Sequence, residues 1–263
     1  MPTLAEAAEH LGVHYQTAYK WVRDGSLPGE RVRGRYQIDP AILDAFARRR
    51  DEPQPVPERA HGLRWVQLAD RLEGHLLHGE ETAARKQVLD LRDRGVSATE
   101  IITHLFVPAL QAIGAGWSAG RVTIPEEHRA SGIVGRLLGE LSASPRGRPR
   151  GTAVVAALSG EHHSLPTSMA AAALREDRWR VEHLGSDVPP DDVVRFAKES
   201  GADLVVLSVT APQRTGDAQR TRRRLERAGV PTVVGGPTRT LAELAAEARA
   251  LSPAARRTST VQA

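Results

Sequence analysis

The stretch TAVVAALSGEHHSLP, residues 152–166, decides how the second half of the chain is read. Its first seven residues form a run of apolar and small side chains without alternation, which suits a strand covered on both faces. A short polar loop follows, and PTSMAAAALREDR then carries a helical pattern. The same alternation continues through RVEHLG (strand), PDDVVRFAKESG (helix), DLVVLSV (strand), the basic helix around DAQRTRRRLERAG, and PTVVGG (strand). Strands alternating with helices predict a doubly wound, Rossmann-like parallel α/β sheet over residues 150–250. Ligands of such sheets bind beyond the carboxyl ends of the strands, and the loop holding Glu161, His162 and His163 lies at one of those ends.

In that loop Glu161 stands two residues before His163. A carboxylate can take the proton of one imidazole nitrogen and leave the other nitrogen to a metal. The pair by itself leaves two readings open, a ligand site and a solvated loop. His162 is taken as a bystander. Ser208 closes the third strand, and Gly235 and Gly236 close the fourth, where a missing Cβ lets a large flat or nucleotide-like ligand approach the backbone.

Two Pro-rich, charged seams divide the chain: RRRDEPQPVPERAHG (48–62), holding a linker at 51–61, and SASPRGRPRG (142–151). Between them, residues 62–145 read as a four-helix bundle. Leu63, Val66, Leu68, Leu72, Leu76 and Leu77 recur at three- and four-residue spacings. The fourth helix opens on Thr123 as cap, with Pro125 in its first turn. Trp117 and the pair Glu127-His128 flank that opening; taken alone, Trp117 reads first as bundle core and Glu127-His128 as an exposed first turn. The tail 251–263 shows no periodic apolar pattern and is expected to be disordered.

Residues 1–50 read as a winged helix-turn-helix. Thr3 and Glu6 make a capping box, LGV a tight turn, and HYQTAYKWVRDG a second helix. Tyr15, Gln16, Thr17, Lys20 and Arg23 give that helix hydrogen-bonding and cationic side chains, as a recognition helix in the major groove needs. Ala18, Trp21 and Val22 are expected in the core. RVRGRYQI reads as a hairpin whose Arg31, Arg33 and Arg35 alternate, predicting one face with a row of phosphate-seeking guanidiniums. A helical module that binds protein, with a merely solvated hairpin, is the alternative.

With no cysteine among 263 residues, disulfides, thiolate zinc sites and iron–sulfur clusters are excluded. The net charge of +4 is mild and does not by itself argue for nucleic acid. No leader pattern opens the chain and no apolar stretch approaches membrane-spanning length, so a cytoplasmic protein without membrane partners is expected. No residue set is assigned to catalysis, and the chain is read as a non-enzyme.

The first fifty residues resemble the helix-turn-helix of the MerR and excisionase-like families. Glu161-x-His163, Ser208 and Gly235-Gly236 resemble the cobalamin-binding fold, whose pattern is Asp/Glu-x-His-x-x-Gly, Ser-x-Leu and Gly-Gly. Here Pro166 stands for the motif glycine and Thr210 for the leucine. A bundle before such a fold resembles the cap of cobalamin-dependent methionine synthase and corrinoid proteins. Trp117, nine residues, then Glu127-His128 is similar to the signature of the CarH/LitR family of adenosylcobalamin photoreceptors, whose domain order the whole chain follows.

That resemblance implies His163 as lower axial cobalt ligand, oriented by Glu161, with Ser208, Gly235 and Gly236 lining the slot for the cofactor's nucleotide tail. It implies Trp117 and Glu127 against the adenosyl group, and His128 as the second axial ligand after light. It further implies a light-responsive repressor, tetrameric in the dark, that binds a double-stranded DNA operator. After GGP the chain runs into TLAELAAEARAL without the family's usual intervening helix and fifth strand, so a sheet one strand short is expected. A cobalamin-level sensor without photochemistry, a corrinoid methyl carrier, and a regulator whose cobalamin site has decayed are the alternatives.

Overall fold

The computed structural model describes residues 1–13, 15–23, 25–32, 35–51, 63–142, 147–237 and 239–253. The chain forms two compact units, Met1–Val56 and Pro57–Ala263.

The first unit contains α1 (Leu4–His10), α2 (Tyr15–Arg23), β1 (Glu30–Val32), β2 (Arg35–Gln37) and α3 (Pro40–Asp51). The Thr3 side chain accepts from the Glu6 amide, and the Glu6 carboxylate accepts from the Thr3 amide at 2.7 Å, so two orphan donors at the helix start are satisfied reciprocally. Gly12, at φ 62, makes the turn into α2 in a backbone region that costs glycine nothing. Leu4, Ala7, Ala18, Leu27, Ile38 and Leu43 are buried together, with Trp21 and Val22 packed against them. Ala18, Trp21 and Val22 are the three that the sequence placed there. α3 extends to Asp51, so the expected linker starts one residue late in the structure and its remainder, 52–61, lies outside the described residues.

The hairpin corrects one expectation. Its register pairs Arg31 with Tyr36 and Val32 with Arg35. Directly opposite residues share a face and neighbours along a strand do not. Arg31 and the Arg35 position are therefore on opposite faces: alternation within one strand does not survive the change of strand at the turn. Arg33 lies outside the described residues.

The second unit opens with the bundle: α4 (Trp65–His78), α5 (Glu81–Asp93), α6 (Ala98–Ile101) running through a π-helical turn (Ile102–Phe106) into α7 (Val107–Ser118), and α8 (Ile124–Leu141). The continuous run Ala98–Ser118, 21 residues, is long and apolar enough by length and composition to cross a membrane. That overturns the expectation that no stretch approaches such a length. Its apolar side chains are spent on the bundle, where Ile101, Ile102, Leu105, Phe106, Ala109 and Ile113 are buried against Leu72, Leu76, Val88, Ile133 and Leu137.

The bundle core continues into the α/β part without a break, taking in Met169 and Ala172 of α9 (Leu165–Glu176). The parallel sheet is ordered β4 (Arg180–Val188), β3 (Thr152–Leu158), β5 (Leu204–Ser208), β6 (Thr232–Gly235). α9 and α12 (Leu241–Ala250) cover one face, and α10 (Pro190–Glu199) and α11 (Thr215–Arg227) the other. Among the described residues the sheet has four strands, as the short run after GGP implied. Val205 donates to the Pro231 carbonyl and Val209 to the Gly235 carbonyl, so odd-numbered residues of β6 face β5. The Val234 carbonyl points the other way, where a fifth strand would pair. Arg239 donates to it at 3.2 Å while paired with Glu247 of α12 at 2.6 Å. A charged side chain on an open sheet edge discourages pairing with another strand. At the C-terminus, Leu251 packs on the core and Ser252 is buried, so the expected disordered tail does not begin at 251; residues 254–263 lie outside the description.

Glu176, at the end of α9, joins the two parts of this unit. Its carboxylate accepts from the Ala98 and Thr99 amides at 2.6 and 2.9 Å and from the Thr99 hydroxyl at 2.7 Å. Those amides are unpaired donors at the start of α6, where negative charge is favoured. Glu176→Ala should lower stability by about 1–3 kcal/mol in urea unfolding, the cost of leaving charge-assisted bonds unmade. It should also speed amide exchange at Ala98 and Thr99; unchanged exchange there would count against this tie.

Candidate functional site: the loop after β3 and the head of α8

The first strand of the α/β part ends at Leu158, and α9 begins at Leu165. Pro166 sits in the first turn of α9, where its missing N–H costs no helical bond, so the departure from the motif glycine is sterically harmless. Gly160, at φ +81, lies in a backbone region that strains any other residue, and the movable Arg214 guanidinium stands where its Cβ would be.

Glu161 is 2 % exposed. One carboxylate oxygen accepts from the Thr210 and Ala211 amides, at 2.8 and 2.9 Å, in the loop after β5. The other faces His163 Nδ1 at 2.5 Å. Burial pushes the Glu161 carboxyl up, but the bonds from His163, Ala211 and Thr210 outweigh it and hold it at about 2. An ionised carboxylate only accepts, so Nδ1 of a neutral His163 must carry the proton and Nε2 keeps its lone pair. The His163 side chain is 63 % exposed. A single fixed, solvent-open imidazole nitrogen results. Among the described residues no group of three or more His, Cys, Asp or Glu side chains could hold a bare metal ion. The donor set fits a metal that brings its own equatorial ligands, as the cobalt of a corrin does.

Thr210, which stands where the motif has leucine, contributes through its backbone amide, a donor that any residue except proline supplies. Ser208 is buried at the end of β5, in register with Gly235. A Cβ on Gly235 would touch Leu244, and one on Gly236 would lie 3.3 Å from the Val209 carbonyl. Close packing of strand and helix thus accounts for much of the demand for glycine at these two positions. Sequence reasoning missed a relay behind the loop. The Thr167 hydroxyl donates to the Ser164 carbonyl at 2.6 Å and so accepts from His183 Nε2 at 2.8 Å. Burial and the charge of Arg175 push the His183 pKa down, which keeps it a neutral donor pinning α9 to β4.

The second cluster sits on the bundle. Thr123 and Glu126 close a capping box at the head of α8, with Pro125 in the first turn. This presents Glu127 and His128 on the first turn, with Glu127 Oε2 2.5 Å from His128 Nδ1 and Oε1 accepting from Ser131 at 2.7 Å. Burial raises the Glu127 pKa, yet the bonds from His128 and Ser131 and charge on His128 and His163 bring it below the usual value. Trp117 is 51 % exposed, so it is not the bundle core residue that one reading of it allowed, and the His128 side chain is 73 % exposed.

In the first unit Tyr15, Gln16, Arg23 and Arg31 are exposed and Thr17 is half-buried; the side chains of Lys20, Arg33 and Arg35 lie outside the description. Two tyrosines that sequence reasoning passed over, Tyr19 and Tyr36, stack with Tyr15 into one array. The spacing of Tyr15 and Tyr19, one helical turn, was the available signal.

Residues 151–255 match the B12 binding domain family, 68–142 a second B12 binding domain family, and 3–51 a helix-turn-helix domain family. The chain is 31% identical over 262 residues to the HTH-type transcriptional repressor CarH of Myxococcus xanthus, covering 88% of this chain and 87% of that one. The chain belongs to the CarH family. It is also 28% identical over 206 residues to the repressor CarA of the same organism, across 74% of this chain and 65% of that protein. The monomethylamine corrinoid protein of Methanosarcina barkeri shares the fold of this CarH-family chain, with a TM-score of 0.58, 20% identity, and coverage of 70% of this chain and 98% of that one. The chain is accordingly a DNA-binding transcription regulator with cobalamin-binding domains.

Glu161→Ala leaves the Thr210 and Ala211 amides without their acceptor. It should cost about 2–3 kcal/mol by chemical denaturation, whereas Glu161→Gln, which keeps an acceptor oxygen, should cost roughly half as much. Equal, negligible losses for both would show that the carboxylate does not hold these loops together.

Proposed function

We propose that this protein is a light-responsive transcriptional repressor that carries adenosylcobalamin as its chromophore. The observation that carries this reading is the occurrence of two imidazole–carboxylate units in one compact unit, Glu161–His163 after β3 and Glu127–His128 on α8. When bound, adenosylcobalamin would supply a cobalt–carbon bond that light breaks. His163 would hold the lower face of the cofactor, its ring direction set by the buried Glu161. Ser208, Gly235 and Gly236 would line the slot for its nucleotide tail. Trp117 and Glu127 would cover the upper face, and His128, open to solvent, would be the imidazole offered to that face once it is vacated.

The head of α8 is the element whose position light would change. Glu176 ties the C-terminal end of α9 to the start of α6, a joint that a displacement at the head of α8 would leave in place. In the dark the chain would assemble as a homotetramer and bind its operator through several helix-turn-helix units, since linked modules bind far more tightly than one. Light would shift the population towards smaller assemblies that bind DNA weakly. Tyr15, Gln16, Thr17, Lys20 and Arg23 would meet the major groove, and Arg31, Arg33 and Arg35 the phosphates. The work would be done in the cytoplasm, without catalysis.

The test is direct. Adenosylcobalamin is added in the dark, excess cofactor is removed, and the absorption spectrum and assembly size are measured before and after green light. Retained cofactor and a drop in size on illumination are expected. Failure to retain cofactor would sink the reading, and retention with a size indifferent to light would leave a cobalamin-level sensor. His163→Ala should remove protein ligation in the dark spectrum. His128→Ala should spare dark binding and change only the illuminated spectrum.

A further inference from the structure

The exposed face of the first unit carries an aromatic array of which only Tyr36 touches the core. Tyr15 and Tyr19, one turn apart on α2, stack with ring centroids 6.5 Å apart and planes 14° from parallel. Tyr19 then meets Tyr36 of β2 edge-on, at 6.1 Å and 68°. The Arg31 guanidinium stands 6.0 Å from the centre of the Tyr36 ring. Tyr15 is 47% and Tyr19 38% exposed, and neither belongs to the buried cluster of the unit, although Tyr36 packs on its rim. Offset and edge-on rings at these spacings attract, and a cation over a tyrosine face does too.

The array runs from the recognition helix to the wing. Arg31 is register partner to Tyr36, and Tyr36 is the ring that Tyr19 meets, so the hairpin face bearing Arg31 is the one turned to α2. The Arg35 position lies on the other face. Of the wing arginines with a described register, Arg31 is thus the one that shares the side of Tyr15 and Tyr19. A free arginine loses much rotamer entropy when it docks on a phosphate. One already held over a ring loses less, and preorganisation of this kind appears directly as affinity.

We infer that Tyr19 and Tyr36 are positioning residues for DNA binding: they fix the wing against the recognition helix and hold the Arg31 guanidinium ready for a backbone phosphate. The inference rests on the DNA-binding role of the first unit. It gives Arg31 a role of its own within the wing, since Arg31 acts through the array.

The full-length chain is titrated onto a fluorescently labelled, random-sequence DNA duplex at several salt concentrations and followed by anisotropy. Arg31→Ala should weaken binding and flatten the dependence of log K on log salt by about one phosphate contact. Tyr19→Ala should weaken it about five- to tenfold and flatten the slope alike, and Tyr19→Phe, which keeps the ring, should restore both, as expected for preorganisation. The decisive comparison is Tyr19→Ala with Arg31→Ala together. If the ring acts through the guanidinium, the double variant binds within about twofold of Arg31→Ala alone; losses that multiply overturn the inference. Arg31→Lys keeps the charge at an exposed site without a planar group to stack, so it tests the array with no threat to folding. It should keep most of the salt slope that Arg31→Ala loses while binding more weakly than wild type, and wild-type binding by it would overturn the inference. Tyr19→Phe as damaging as Tyr19→Ala would also overturn it, by assigning the role to the hydroxyl. A wild-type chain that does not bind the duplex at all removes the DNA reading itself, an outcome distinct from every failure of the array.

Discussion

The second unit is organised around one buried carboxylate. Glu161 leaves the end of β3 with almost no exposure, and each of its oxygens is committed. One takes two amides from the loop after β5, and the other fixes the ring of His163. Burying a charge is costly unless every lone pair finds a donor. Here the donors come from two different crossover loops, so satisfying the charge also sets the distance between them. The carbonyl of the same residue accepts from the Asp187 amide near the end of β4, which brings in a third strand. The carboxyl ends of three strands thus meet at one residue.

That constraint explains why the departures from the cobalamin pattern are tolerable. Pro166 falls where a helix has no amide to lose, and Thr210 serves through its main chain. The positions that admit little substitution are those with a geometric demand: Gly160 with its positive φ, and Glu161 itself. Whether a motif residue can vary depends on whether its side chain or its backbone does the work.

Much of this was legible in the sequence for identifiable reasons. The apolar run 152–158 suited a strand covered on both faces, and the leucine spacings of 63–77 suited an amphipathic helix. Glu161 and His163 were legible because two residues within one loop define their own geometry. What escaped was non-local. Nothing near Glu176 in sequence announces that it caps a helix seventy-odd residues earlier, as the separation of the bonded residues shows. The partition of Arg31 and Arg35 to opposite faces depends on the register of a turn, which alternation cannot reveal. The tyrosine array needs the wing placed against α2 before Tyr36 can meet Tyr19. Trp117 was ambiguous because a tryptophan in an apolar helix satisfies a core pattern and a surface site alike, and only its exposure distinguishes them.

The direct passage from β6 to α12 has a consequence for how the chain folds. Leu244, Ala248 and Leu251 complete the core cluster that holds Val155, Leu174, Trp179 and Val206 against one face of the sheet. During synthesis the strands, the Glu161 loop and the whole bundle emerge before those three side chains do. Domains fold as units when their last core segment becomes available. The sheet therefore waits, with one face open, for its final helix to leave the ribosome. Because no fifth strand intervenes, that wait is short.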